Sequence, residues 1–188
     1  LPASLSDYYF SGMREVFTCS LWVIGFFLLT YKAFEKTLEN VLTILAGALA
    51  IVFAFFPVAR PSTAIPLTPL QQGLGEHTVD IIHVIAATTF GVLMAAISYA
   101  FGSREGLRPT ASDQHSPEFW RRFHHICGYV ILGTGVLYVA FKLAVHYGAS
   151  FGGFIDGHAL WLIEVVSFTT FGISWLCKGS ELKTHPVG

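Results

Sequence analysis

The sequence predicts an all-α, polytopic transmembrane helix bundle, and three observations carry that prediction. Hydrophobic residues make up 53% of the 188 and charged residues only 12%, against about 25% charged in an ordinary soluble domain. Mean hydropathy is +0.59, a composition with which a soluble domain would struggle to cover its surface. The apolar residues also gather into five stretches of the roughly 20-residue length that crosses a bilayer core: 12–32, 40–59, 78–101, 123–147 and 157–178. These form one bundle domain over 1–188.

Each stretch is bounded by polar or helix-breaking residues. The first starts at Gly12, carries Arg14 and Glu15 in its opening turn and closes at Lys32. The second runs from Asn40 and holds Ala46, Gly47, Ala48 and Ala50, small residues of the kind that let membrane helices approach closely. Pro61, Pro66 and Pro69 then make 59–76 an extended or turn-rich loop. The third stretch opens with His77, Asp80 and His83. A polar segment, 103–122, follows with Gly106, Pro109 and Pro117 and runs along the membrane surface. The fourth stretch extends from His124 and His125 to Lys142 and His146. The fifth runs from His158 through Glu164 to Lys178. Cys19, Cys127 and Cys177 sit within these stretches with no C-x-x-C spacing, as reduced thiols packed among helices do.

Charge sets orientation and excludes one class of partner. Lys36, Arg104, Arg108, Arg121, Arg122 and Lys183 lie on one side, with Lys32 and Lys178 at the helix ends, and Arg60 alone lies in the opposite loops. The positive-inside rule makes the basic side cytoplasmic, so Leu1 is extracytoplasmic and the C-terminus cytoplasmic. Five spans with an outside start imply a cleaved signal peptide or a sixth, N-terminal helix before Leu1. The net charge of -1 offers no basic stripe for nucleic acid; the expected partners are membrane lipids, small ligands and other membrane protein subunits.

With that topology, four spans bring ionisable groups to the extracytoplasmic half: Arg14 and Glu15, Asp80 and His83, Lys142, and Glu164. A charge in a bilayer costs roughly 2.5–3.5 kcal/mol on insertion scales, so such groups face the protein interior and pair. Lys142 can instead snorkel to headgroups, and Arg14 and Glu15 can anchor the interface. His77, Asp80 and His83 combine imidazole and carboxylate, but their spacing of three is not that of a zinc-binding H-E-x-x-H helix. His83 and His146 meet the requirement of a bis-histidine haem site only loosely. Neither a metal site nor an identified cofactor follows from the sequence.

Long motifs carry a family resemblance. The run Ser4-Leu5-Ser6-Asp7-Tyr8-Tyr9-Phe10-Ser11-Gly12-Met13-Arg14-Glu15-Val16-Phe17, then Asn40, Ala46-Gly47, Phe56-Pro57, His83, Ile126-Cys127-Gly128-Tyr129, Trp161-Leu162-Ile163-Glu164 and Phe171 through Gly179, resembles a bacterial family of multi-pass membrane proteins of unknown function. Glu15 stands where that family has Asp, which preserves the charge. More distantly the order of motifs is similar to the six-helix DRAM-like group, which includes autophagy modulators and GPI-anchor lipid-remodelling factors. The resemblance implies a bacterial inner-membrane location, a further helix before Leu1 and a lipid-related role.

Two functions are expected from these residues. In the first, Ser6, Tyr8, Arg14, Glu15, Asp80, His83 and Glu164 line an extracytoplasmic-facing polar pocket that binds a lipid headgroup or small ligand, or that locks the protein into a larger complex. In the second, the protein is a lipid-modifying hydrolase or acyltransferase: His83 is a general base, oriented by Asp80 or Glu164, with Ser4 or Ser6 as nucleophile. No G-x-S-x-G motif accompanies that arrangement.

Overall fold

A computed structural model describes residues 1–31, 38–105 and 117–184. A single 3-10 turn, Ser6–Phe10, is followed by α1 (Arg14–Thr30), α2 (Leu38–Phe55), α3 (Pro69–Leu74), α4 (Glu76–Glu105), α5 (Pro117–His146) and α6 (Gly153–Thr184), with no strand among the described residues. Four helices, α2, α4, α5 and α6, are long and apolar enough to cross a membrane. The 17 residues of α1 rise about 25 Å at 1.5 Å per residue, the short end of a span. The fold is that of an all-α multi-pass membrane protein.

Every apolar stretch is a helix; α4 and α6 overrun their stretches at both ends, and α5 does so at its start. Polar residues flanking a span continue its backbone hydrogen bonding into the interface, so α5 begins six residues early at Pro117, where proline's missing N–H costs nothing. Much of the expected surface segment 103–122 lies outside the described residues. The loop 59–76 is more ordered than its prolines predict. Thr68 caps α3 by accepting from the Gln71 backbone N–H, Gln71 reciprocates toward the Thr68 N–H, and Pro69 occupies the first turn, a capping box. Arg60 clamps the same loop. Its Nε and Nη2 donate to the two carboxylate oxygens of Glu76 at 2.9 and 3.0 Å, and Nη1 donates to the Ile65 carbonyl. The bond to Glu76 holds the guanidinium above its ordinary pKa.

Residue contacts divide the chain into two compact units: Leu1–Phe90 with Ser150–Glu164, and Gly91–Ala149 with Val165–Gly188. In the first, α1 and α2 meet backbone to backbone. A Cβ added at Gly47 would lie 2.7 Å from the Gly25 carbonyl oxygen and 2.9 Å from the Leu29 nitrogen. Ala46 and Ala50 on the same face are fully buried, so the small residues of α2 form a tight seam. The opposite faces expose Val23, Phe26, Val41, Ile44 and Phe55, as lipid-facing helices do. In the second unit Phe101 packs edge-on against Trp175 at 5.3 Å. There α4 and α5 close together at Gly128, where a Cβ would stand 3.0 Å from the Ala95 carbonyl oxygen.

Candidate functional site

The polar residues of the first unit converge on the N-terminal segment. Ser4 and Asp7 first fold that segment on itself: the Ser4 N–H donates to Asp7 Oδ2 at 3.0 Å and the Asp7 N–H to Ser4 Oγ at 3.2 Å. The folded segment is then held by two helices. The Leu5 N–H donates to Glu164 Oε2 at 2.6 Å, Ser6 Oγ lies 2.9 Å from His83 Nε2, and the Ala3 carbonyl accepts from the Trp161 backbone N–H at 3.1 Å. His158 Nε2 reaches the Leu1 carbonyl at 3.0 Å. His83 and Glu164 thus grip adjacent residues, Ser6 and Leu5, from α4 and α6.

The protonation pattern of His83 follows from its partners. Its Nδ1 lies 2.6 Å from the Phe56 carbonyl oxygen, which can only accept, so Nδ1 carries the proton. In the neutral ring Nε2 is then a bare acceptor, and the Ser6 hydroxyl donates to it. Phe53 packs edge-on against the imidazole at 5.8 Å and fixes the ring plane. His83 is 4% exposed and Ser6 8%, so the pair is shielded from bulk water.

One donor in this group is left over. The indole Nε1 of Trp161 is buried and has no hydrogen-bond partner among the described residues. Trp161 and Glu164 are three apart on α6, and helical residues at that spacing share a face. Trp161 therefore stands on the face of α6 that meets the N-terminal segment, where its backbone N–H already reaches Ala3.

The other expected pocket residues are placed differently. Asp80 is half-buried and its Oδ1 accepts the Ala59 N–H at 2.7 Å; it secures the end of the α2 connection and is not the group that orients His83. Arg14 stacks on the Tyr9 ring at 4.4 Å and its Nη2 donates to the Tyr9 hydroxyl. Tyr8 is half-buried, and its carbonyl accepts from Ser11. Glu15, Lys142 and His77 are exposed. No three His, Cys, Asp or Glu side chains among the described residues converge on a metal-binding arrangement.

A second polar cluster, in the other unit, is not evident from hydropathy. His124 is fully buried, its Nδ1 2.9 Å from the equally buried Ser174 Oγ, and Cys127 is buried one turn further along α5. Lys178 is buried with its Nζ 5.8 Å from the centroid of Phe101. The one available signal is periodicity. His124, Cys127, Gly128 and Ile131 recur at three and four residues, the buried stripe of a helix. An open groove on α5, lined by Glu118, Phe119, Arg122, Phe123 and Ile126, also belongs to this unit.

No known family model matches the chain, and no curated protein or solved structure shows significant similarity to it.

Proposed function

We propose that the Ser6, His83, Trp161 and Glu164 cluster is a binding site for the polar end of an amphipathic ligand, a lipid headgroup or a small molecule, at the extracytoplasmic face of the membrane. The observation that carries this reading is the buried Trp161 Nε1–H without an acceptor. Leaving such a donor unpaired costs about 1–3 kcal/mol, and a ligand oxygen seated beside Glu164 removes that cost. Ile81, Val84, Ile85 and Leu162 on the same helices are exposed apolar residues, against which the hydrocarbon chains of a ligand can lie. The bias of Lys and Arg toward the other set of loops supports the extracytoplasmic assignment, with the C-terminus cytoplasmic. The resemblance to bacterial multi-pass proteins supports an inner-membrane location.

Trp161→Phe tests the reading, because it deletes the N–H and keeps an aromatic ring. Native mass spectrometry of gently purified protein is expected to show a bound amphiphile whose occupancy falls in Trp161→Phe and in Glu164→Gln. If the indole N–H serves no ligand, Trp161→Phe relieves an unpaired donor and leaves occupancy unchanged, which overturns the proposal.

A further inference from the structure

Two buried, long-range contacts between a hydroxyl and an imidazole, Ser6 with His83 and Ser174 with His124, stand apart from the local contacts that other hydroxyls on the helices make. Thr18, Ser20, Thr30 and Ser103 donate to carbonyls of their own helix turns, the usual fate of such hydroxyls in membrane helices. Ser6 instead meets a ring nitrogen 77 residues away, at 2.9 Å in a buried setting. The acceptor character of that nitrogen is fixed from behind, because the Phe56 carbonyl at 2.6 Å claims the Nδ1 proton. A hydroxyl, an imidazole that accepts its proton and a third group that holds the imidazole in the accepting tautomer are the parts of an activated serine nucleophile. A backbone carbonyl fills here the place a carboxylate takes in hydrolase triads.

We infer that Ser6 and His83 form a catalytic dyad that cleaves or transfers the acyl group of a carboxylic ester carried by a membrane amphiphile, with the Phe56 carbonyl as the positioning group. The inference rests on reading the cluster as a ligand site. Of the two serines available, Ser6 is the one whose hydroxyl meets the imidazole, while the Ser4 hydroxyl accepts the Asp7 N–H within the local fold. Ser6 Oγ attacks the acyl carbon as His83 Nε2 takes the hydroxyl proton. The bond from that carbon to the alcohol oxygen then breaks, and His83 returns the proton to the departing alkoxide. Water, or a second alcohol, next adds to the acyl-serine and gives its proton to His83. The carboxylic acid or the new ester leaves, and the proton returns to Ser6. No oxidant or reductant is required.

The test uses the full chain in detergent or lipid discs with an alkyl fluorophosphonate, which phosphonylates activated serines irreversibly, and maps the adduct by peptide mass spectrometry. The adduct is expected on Ser6, with a labelling rate lowered about 10²–10⁴-fold in His83→Gln, the usual contribution of general base catalysis. Ser6→Cys retains a donor to the imidazole, so a variant that elutes like the wild type yet takes no adduct confirms the attacking oxygen. No adduct, an adduct on another residue, or equal labelling in His83→Gln overturns the dyad. Absent labelling alongside amphiphile occupancy that still depends on Trp161 overturns the dyad and leaves the binding site standing. Labelling of Ser6 with no Trp161-dependent occupancy has the opposite outcome.

Discussion

Replacing Glu164 with alanine removes the acceptor of the Leu5 N–H and leaves that donor behind the folded segment. The bond is short, 2.6 Å, and part-buried, so its loss should cost about 1–3 kcal/mol of local stability. The other tethers, Ser6 to His83 and Ala3 to Trp161, remain. The global fold therefore survives, and the cost appears as opening of the segment alone. At a factor of ten for every 1.4 kcal/mol, opening rises roughly five- to 150-fold. Hydrogen exchange read by mass spectrometry on a peptide covering 1–10 should show that acceleration, while peptides from α5 exchange as before. Glu164→Gln, which keeps an acceptor oxygen, should give no more than about a fivefold change, a loss below about 1 kcal/mol. Exchange that is the same in Glu164→Ala and wild type would refute the view that α6 holds the N-terminal segment. Acceleration spread over every helix would show that Glu164 supports the whole fold and no local latch.

Further outcomes follow from the packing and the charges. Gly47→Val forces a side chain into the Gly25 backbone and is expected to lower the thermal stability of purified protein by about 1–3 kcal/mol or more, whereas Gly133→Val, where an added Cβ meets nothing within 4 Å, should be silent. Arg60→Ala is expected to speed limited proteolysis in 59–76, and Arg60→Lys should not restore resistance, because an ammonium cannot make the forked contact to Glu76 together with the bond to Ile65. A cysteine at Ser62 should react with an impermeant maleimide in intact cells and one at Ser112 only after permeabilisation; the reverse pattern would invert the proposed orientation.

How far the sequence could be read differs between fold and site. Apolar length alone marks every long helix, because lipid demands both internally satisfied backbone and apolar side chains from one continuous segment. His83 and Glu164 stand out by the same logic, as polar groups in apolar runs. Their partners do not, since three of the contacts that define the site end on backbone atoms: the Leu5 N–H, the Phe56 carbonyl and the Ala3 carbonyl. Every residue carries a carbonyl and every residue but proline an N–H, so no pattern of side chains announces them. This is why Asp80 and Glu164 look like natural partners for His83 in the sequence, while in the structure they serve Ala59 and Leu5. The His124 and Ser174 pair was hidden for another reason: 50 residues separate its members, and neither is unusual for its own helix.

The Leu5 to Glu164 bond spans 159 residues, which ties it to the order in which the chain is made. At about 5–20 residues per second, synthesis leaves an interval of roughly 8–30 s between the appearance of the two partners. Throughout that time Ser4, Leu5 and Ser6 have no α6 to dock on, and the tether from His83 to Ser6 acts without those from Glu164 and Trp161. Ordering of residues 1–10 is therefore coupled to insertion of α6, and a chain stalled or cut short before α6 would leave this polar stretch without its Glu164 and Trp161 anchors.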